Sequence, residues 1–204
     1  MSRVLWIASA NRKKRLELER LLQPLGFDLR GLEAAPQPVR IVEDAPDFAG
    51  NARIKAVTLA RAVGAPALGD DSGLCVDALG GRPGVLSARY AGADASDDDR
   101  VAKILAELRD VPQAQRTARF VCALCVADAS GQVLHEVQDT CEGSMASSPR
   151  GGGGFGYDPI FVPDATRSES AAPTMAELGA AEKDVVSHRG RALRRLADWL
   201  AHRA

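Results

Sequence analysis

Neither sign of charge is in excess in this chain. Lys+Arg 26 against Asp+Glu 27 in 204 residues leaves a formal net charge of -1. No global field therefore draws it to nucleic acid or to a membrane surface, and any anion site has to be built locally. Long apolar runs are missing as well. The opening run, residues 4–8, is cut off by the polar cluster at 11–15, too soon for a signal peptide. No stretch reaches the ~20 apolar residues that span a bilayer. The expectation is a cytoplasmic protein with neither a nucleic-acid nor a membrane partner. Cysteine is sparse, at four residues, and histidine is limited to three. A chain this long does not need a disulfide framework. Cys122 and Cys125 form a C-x-x-C pair, but they lie inside the apolar run 120–127, where cysteine packs as a small hydrophobe, and the histidines are not spaced to complete a zinc site.

What is present is enough apolar material, 46% of residues, for a substantial core. That suits a single domain over 1–204, or two closely packed lobes with no linker between them. Residues 4–8 read as a strand and end in Ser9-Ala10-Asn11. A helix follows, with Lys14, Leu18, Leu21, Leu22 and Leu25 in register and Gly26 closing it. A strand at 27–32 and a helix at 47–63 come next, and then Asp70-Asp71-Ser72-Gly73 reads as a strand tip opening into a loop. Ser96 caps a helix reaching Leu108, extended runs cover 117–127 and 132–140, and Thr174 to Glu177 fits a capping box. The last helix turns Leu193, Leu196, Trp199 and Leu200 inward and Arg191, Arg194 and Arg195 outward. Interleaved helices and strands followed by long adjacent strands predict an α/β fold, a mixed sheet with helices on its faces.

Four segments carry candidate chemistry. Ser9-Ala10-Asn11-Arg12-Lys13-Lys14 lies between a strand end and a helix start, where backbone N–H groups and the helix dipole favour an anion; an ordinary N-cap with solvated lysines fits the same residues. Asp70-Asp71 sets two carboxylates side by side, which a hard cation such as Mg²⁺ would relieve, although a turn rich in Asp, Ser and Gly is the alternative. The loop 151–156 formally contains G-x-G-x-x-G but lacks the strand before and the helix after that a dinucleotide site requires. So much glycine suits close approach to a flat ligand, with Phe155 offering a ring. Lys183, His188 and Arg189 gather donors near a helix junction, each of which singly reads as a solvated side chain.

Taken together, these residues resemble the inosine/xanthosine triphosphate pyrophosphatases, the RdgB-like proteins. The matching motifs are Ser9-x-Asn11-x-x-Lys14-x-x-Glu17, Phe48-x-x-Asn51-Ala52-x-x-Lys55-Ala56, Asp70-Asp71-Ser72-Gly73-Leu74, Ser87-Ala88-Arg89-Tyr90, Gly153-Gly154-Phe155-Gly156-Tyr157-Asp158-Pro159 and Ser187-His188-Arg189-Gly190. The resemblance implies an elongated mixed β-sheet flanked by helices, two lobes with a central cleft, and a homodimer. It implies cleavage between the α- and β-phosphates of ITP, dITP and XTP, which keeps deaminated purines out of DNA and RNA. Asp71 would be the catalytic carboxylate and a ligand of Mg²⁺. The segment Ser9, Ala10, Asn11, Arg12, Lys13 and Lys14, with Lys55, would hold the phosphates. Ser72, Phe155, Gly156, Tyr157, Asp158, Lys183, His188 and Arg189 would line the nucleoside pocket. Selection of a 6-oxo purine would need a donor to O6, from His188, Arg189 or a main-chain N–H of the glycine loop.

Two departures from that pattern matter. Where the family commonly has Phe-x-Glu-Asn-Ala, this chain has Phe48-Ala49-Gly50-Asn51-Ala52. The resemblance places the second metal carboxylate in the acidic loop just upstream, whose length varies, and Glu43 is chosen there over Asp44. A Maf-like nucleotide pyrophosphatase shares the Ser-plus-Lys opening, but the Ser187-His188-Arg189 and Gly154 to Asp158 motifs argue against it. A nucleotide-binding regulatory module without turnover is opposed by intact Asp71, Lys14 and Lys55.

Overall fold

The expected opening of strand, polar loop and helix forms as β1 (Arg3–Ala8) and α1 (Arg12–Leu22), the helix capped by Asn11. Then follow β2 (Phe27–Gly31) and α2 (Phe48–Val63), with Asp47 as the α2 N-cap accepting from Gly50 N. The chain continues through β3 (Ala67–Val76), α3 (Asp97–Glu107), β4 (Thr117–Ala127), β5 (Val133–Met145), β6 (Phe161–Pro163), α4 (Ala180–Val186) and α5 (His188–Ala201). This computed structural model describes residues 3–166 and 172–202. Met1 and Ser2, which open the N-terminal reading, and the last two residues of the 1–204 domain reading lie outside the described residues.

The strands form one six-stranded sheet in the order β2-β1-β3-β4-β5-β6. It is mixed, as expected: β1 runs parallel to β2 and to β3, whereas β5 and β6 are antiparallel. The chain divides into two compact units. The first comprises Met1–Asp71, Cys122–Asp139 and Arg189–Ala204; the second comprises Ser72–Val121 and Thr140–His188.

Each unit has its own core. In the first, Leu5 and Ile7 of β1, Leu18 and Leu22 of α1, Leu124 and Val126 of β4, and Leu193, Leu196 and Leu200 of α5 bury together. Each such side chain contributes roughly 1.5–3 kcal/mol of transfer free energy. The helical spacing in α1 and α5 supplies those faces, while Arg194 and Arg195 stay exposed and Arg191 is half-buried. A Cβ on Gly69 would run into the backbone of Ala52 and Ala56, so β3 lies directly on α2, whose facing residues are small. In the second unit, Leu74, Ile104, Leu108, Phe120, Met145, Ile160 and Phe161 form the core.

Several expectations are corrected. Asp70 and Asp71 lie in the middle of β3, not at a strand tip. The second extended run continues to Met145, well past residue 140. Thr174 to Glu177 is a turn and not a helix cap. Glu177 N donates to the Thr174 carbonyl at 3.0 Å and the Thr174 hydroxyl donates to Arg150 O at 3.0 Å, so the helix waits until Ala180, where Glu182 accepts from Gly179 N at 2.8 Å. Cys122 and Cys125 are free. Three residues apart on β4, they point to opposite faces of the strand and have no way to share a zinc ion.

Candidate functional site

β3 separates its two acids. Successive side chains on a strand project to opposite faces, so Asp70 and Asp71 meet different partners instead of each other. Asp70 accepts from Arg189 Nε at 2.7 Å and from Lys14 Nζ at 3.2 Å, and its side chain has no solvent exposure. Arg189 Nη1 donates to Glu17 Oε2 at 2.6 Å. Burial alone would raise the Asp70 pKa, but Arg189 and Lys14 outweigh it and hold the carboxyl well below the usual range. Mutual repulsion of adjacent acids, the sequence argument for a cation between them, is relieved here by strand alternation and basic side chains.

Asp71 faces α2. Lys55 Nζ donates to Asp71 Oδ1 at 2.8 Å and to the Asp70 carbonyl at 3.1 Å, and it pairs with Glu43 Oε2 at 2.7 Å. Asn51, one turn earlier on the same helix, donates from Nδ2 to Asp71 Oδ2 at 3.2 Å. Burial raises the Asp71 pKa, and the nearby Glu43 adds to that, against the pull of Lys55 and Lys14. For Lys55, burial works towards a lower pKa, yet Asp71 and Glu43 prevail and the ammonium is retained.

At the start of α1, Asn11 Oδ1 accepts from Lys13 N at 3.0 Å and Lys14 N at 3.2 Å, while Asn11 N donates to Ser9 Oγ at 3.3 Å. The N-cap reading therefore describes Asn11, and two of the amides that would face an anion are already engaged. Ser9 is buried, Ala10, Asn11, Arg12 and Lys13 are exposed, and Lys14 is half-buried against Asp70. The first unit thus collects Lys14, Lys55 and Arg189 with Glu17, Glu43, Asp70 and Asp71, three cations against four carboxylates.

The second unit holds a different set. Gly154 has φ +70°, and a Cβ there would strike Asp158 Oδ2. That space is taken because Asp158 Oδ2 accepts from Phe155 N at 2.8 Å and from Lys183 Nζ at 2.7 Å. The Lys183 ammonium also lies 4.7 Å from the centre of the Phe155 ring. Tyr157 is buried and donates its hydroxyl to Ser87 O at 2.9 Å. His188 is buried and stacks on Phe120 with centroids 4.8 Å apart and planes at 12°. Gly156 and Ser72 are half-buried.

Of the residues picked out in the sequence, Asp71, Glu43 and Lys55 come together, as do Phe155, Asp158 and Lys183. Arg189 sits with Asp70 and Glu17. Lys183, His188 and Arg189, each read singly as solvated, are all buried. Asn51 and Glu17 belong to quoted motifs but carry no expected role in the sequence, and Asp70, expected to share a cation with Asp71, is instead held by Arg189 and Lys14. The signal for Asn51 was its i, i+4 spacing to Lys55, which puts both on one helix face.

Among the described residues no group of three or more His, Cys, Asp or Glu side chains is arranged to hold a metal ion. Asp71 and Glu43, converging on Lys55, form a two-carboxylate set. Mg²⁺ typically uses one or two protein carboxylates and completes its shell with water and phosphate oxygens, so the donors fit such an ion.

A family model described as the Ham1 family matches residues 5–199. A dITP/XTP pyrophosphatase of Geobacillus kaustophilus is 47% identical over 191 residues, covering 93% of this chain and 90% of the relative. One from Bacillus subtilis is 43% identical over 194 residues, with 95% of each chain covered. Among solved structures, a HAM1 protein from Coxiella burnetii superposes with a TM-score of 0.85 at 37% identity, covering 98% of this chain and 99% of the other.

Proposed function

Because the chain belongs to the Ham1 family, we propose that it hydrolyses non-standard purine nucleoside triphosphates, ITP, dITP and XTP, to the monophosphate and pyrophosphate. Removing these deaminated nucleotides from the pool prevents their incorporation into DNA and RNA. The observation that carries the mechanistic part of this reading is Asp71. It is a buried carboxylate with one oxygen on the Lys55 ammonium, the other on the Asn51 amide, and a raised pKa.

In this reading Asp71 takes the proton of the attacking water, and its raised pKa brings it nearer the working pH of a general base. Such assistance is worth about 10²- to 10⁴-fold, so charge neutralisation carries much of the remainder. Lys14 and Lys55 would face the phosphate oxygens, with Ser9, Ala10, Asn11, Arg12 and Lys13 lining the same segment. Asn11 would donate through its side-chain NH₂, since its Oδ1 is occupied by the cap. Mg²⁺ is the proposed cofactor, on Asp71 and Glu43, and when bound would neutralise charge on the pyrophosphate leaving group. Asp71 and Glu43 converge on the single ammonium of Lys55, and this pairing of two carboxylates supports a cation there.

Phe155 and Lys183 would take the purine, the ring by stacking and the ammonium as a donor towards a 6-oxo group, with Asp158 holding both in place; Gly156, Tyr157, Ser72 and His188 complete the assignment. Arg189, held by Asp70 and Glu17, is reassigned from base contact to support of the phosphate end. The chain is read as one functional domain of two lobes, homodimeric and cytoplasmic. No described helix is long and apolar enough to cross a membrane.

The experiment is a steady-state comparison of ITP, dITP and XTP with ATP and GTP, detecting released pyrophosphate. The three deaminated substrates are expected to turn over well ahead of ATP and GTP, and equal rates on ATP would sink this reading.

A further inference from the structure

Asn51 is almost fully buried, at 1% exposure, and sits in the first turns of α2. Asparagine is a poor helix former compared with alanine, so its presence there calls for a reason. Both ends of its amide are used. Oδ1 accepts from Ala45 N at 3.0 Å, and Nδ2 donates to Asp71 Oδ2 at 3.2 Å. The backbone N–H of Ala45 acts only as a donor, which fixes the oxygen on that side and leaves the NH₂ group facing the carboxylate.

Ala45 is two residues from Glu43, and Glu43 reaches Lys55, which in turn grips the other oxygen of Asp71. Asn51 and Lys55, four apart on α2, therefore each hold both the 43–45 segment and Asp71. The contacts close a ring: Asp71 to Lys55, Lys55 to Glu43, Glu43 along the chain to Ala45, Ala45 to Asn51, and Asn51 back to Asp71. Lys55 supplies the charge in that ring. Asn51 supplies direction without charge, because its planar amide sets one carboxylate oxygen relative to one backbone N–H.

We propose that Asn51 is a positioning residue for the hydrolysis, fixing the rotation of the Asp71 carboxylate and tying to it the segment that carries Glu43. This rests on the pyrophosphatase reading above. Misplacement by about 1 Å costs a well-oriented reaction on the order of 10²-fold, so loss of this tie should appear in kcat more than in KM.

The test compares full-length wild type with Asn51→Ala, Asn51→Asp and the control Asp47→Ala, which removes the α2 cap without touching Asp71. Four quantities are measured: kcat and KM on dITP, thermal stability, and hydrogen exchange of the Ala45 amide without nucleotide. Asn51→Ala is expected to lower kcat by about 10-fold or more, leave KM within about twofold, and speed exchange at Ala45. Asn51→Asp keeps an acceptor for Ala45 N–H but has no donor for Asp71, so it should lose kcat while protecting the Ala45 amide. Asp47→Ala should lose stability and keep kcat. The proposal is overturned if either Asn51 variant keeps kcat within about twofold of wild type, or if Asp47→Ala loses as much kcat as Asn51→Ala. Should Asn51→Ala fail to fold, Asn51→Asp decides alone. A wild type inert on dITP removes the parent reading, an outcome distinct from an active wild type with active variants.

Discussion

Arg189 Nε donates to Asp70 Oδ2 at 2.7 Å across 119 residues of sequence, joining the first turn of α5 to the middle of β3. The pair is buried, and removing Arg189 takes a buried cation away from both Asp70 and Glu17. Arg189→Ala is expected to cost about 3–5 kcal/mol, measured by urea denaturation.

That pair also sets a pH dependence. Asp70 is held below its ordinary value of 3.8, so the unfolded chain takes up its proton first as the solution is acidified. Its contribution to stability is therefore complete above about pH 5 and declines as the pH falls through 3.8 towards the lower folded value. The stability gap between wild type and Asp70→Asn should narrow over that range in parallel denaturation curves. A gap that stays constant from pH 6 to about pH 3 would disprove the linkage.

Asp71→Asn keeps the size of the side chain and removes its basicity. Turnover on dITP should fall by about 10²-fold or more, while the variant still binds nucleotide, as read by calorimetry with an α,β-non-hydrolysable analogue. Near-normal turnover would take Asp71 out of the catalytic role.

Gly50 stands where the resembled family commonly has glutamate. A Cβ at Gly50 would come 2.6 Å from Ala45 Cβ, and an alanine methyl offers no flexible end to give way. Gly50→Glu should therefore lower stability by about 1–3 kcal/mol and fail to raise kcat, despite restoring an acid. A gain in turnover would show that the 43–47 segment tolerates the shift and that the missing carboxylate limits this enzyme.

Local pattern made much of the fold legible. Helical spacing placed α1, α2 and α5, the Ser96 cap placed α3, and a continuous apolar run placed β4 to the residue. Misreadings arose where the deciding partner lies far away in sequence. Asp70-Asp71 has the composition of a turn, but within β3 its carboxylates are met by Arg189, Lys14, Lys55 and Asn51. Thr174 to Glu177 has the composition of a cap, but the Thr174 hydroxyl serves Arg150 instead. Lys183 and Arg189 look solvated until Asp158, Asp70 and Glu17 are placed beside them. Glu43 and Asn51 show the same limit from the other side: the residues were visible, but the ring they form through Ala45 and Lys55 is a tertiary arrangement.

The two compact units exchange the chain four times, at 71/72, 121/122, 139/140 and 188/189. Two of those seams fall between neighbours of a single motif, Asp71-Ser72 and His188-Arg189. Neither unit is a contiguous stretch that a gene fragment would encode. On the ribosome, β3 emerges long before the guanidinium that compensates Asp70, so the first unit remains without its buried charge pair until α5 has been made. Completion of this fold is thereby a late event in synthesis, and a chain truncated before Arg189 leaves the buried Asp70 with Lys14 but without its guanidinium.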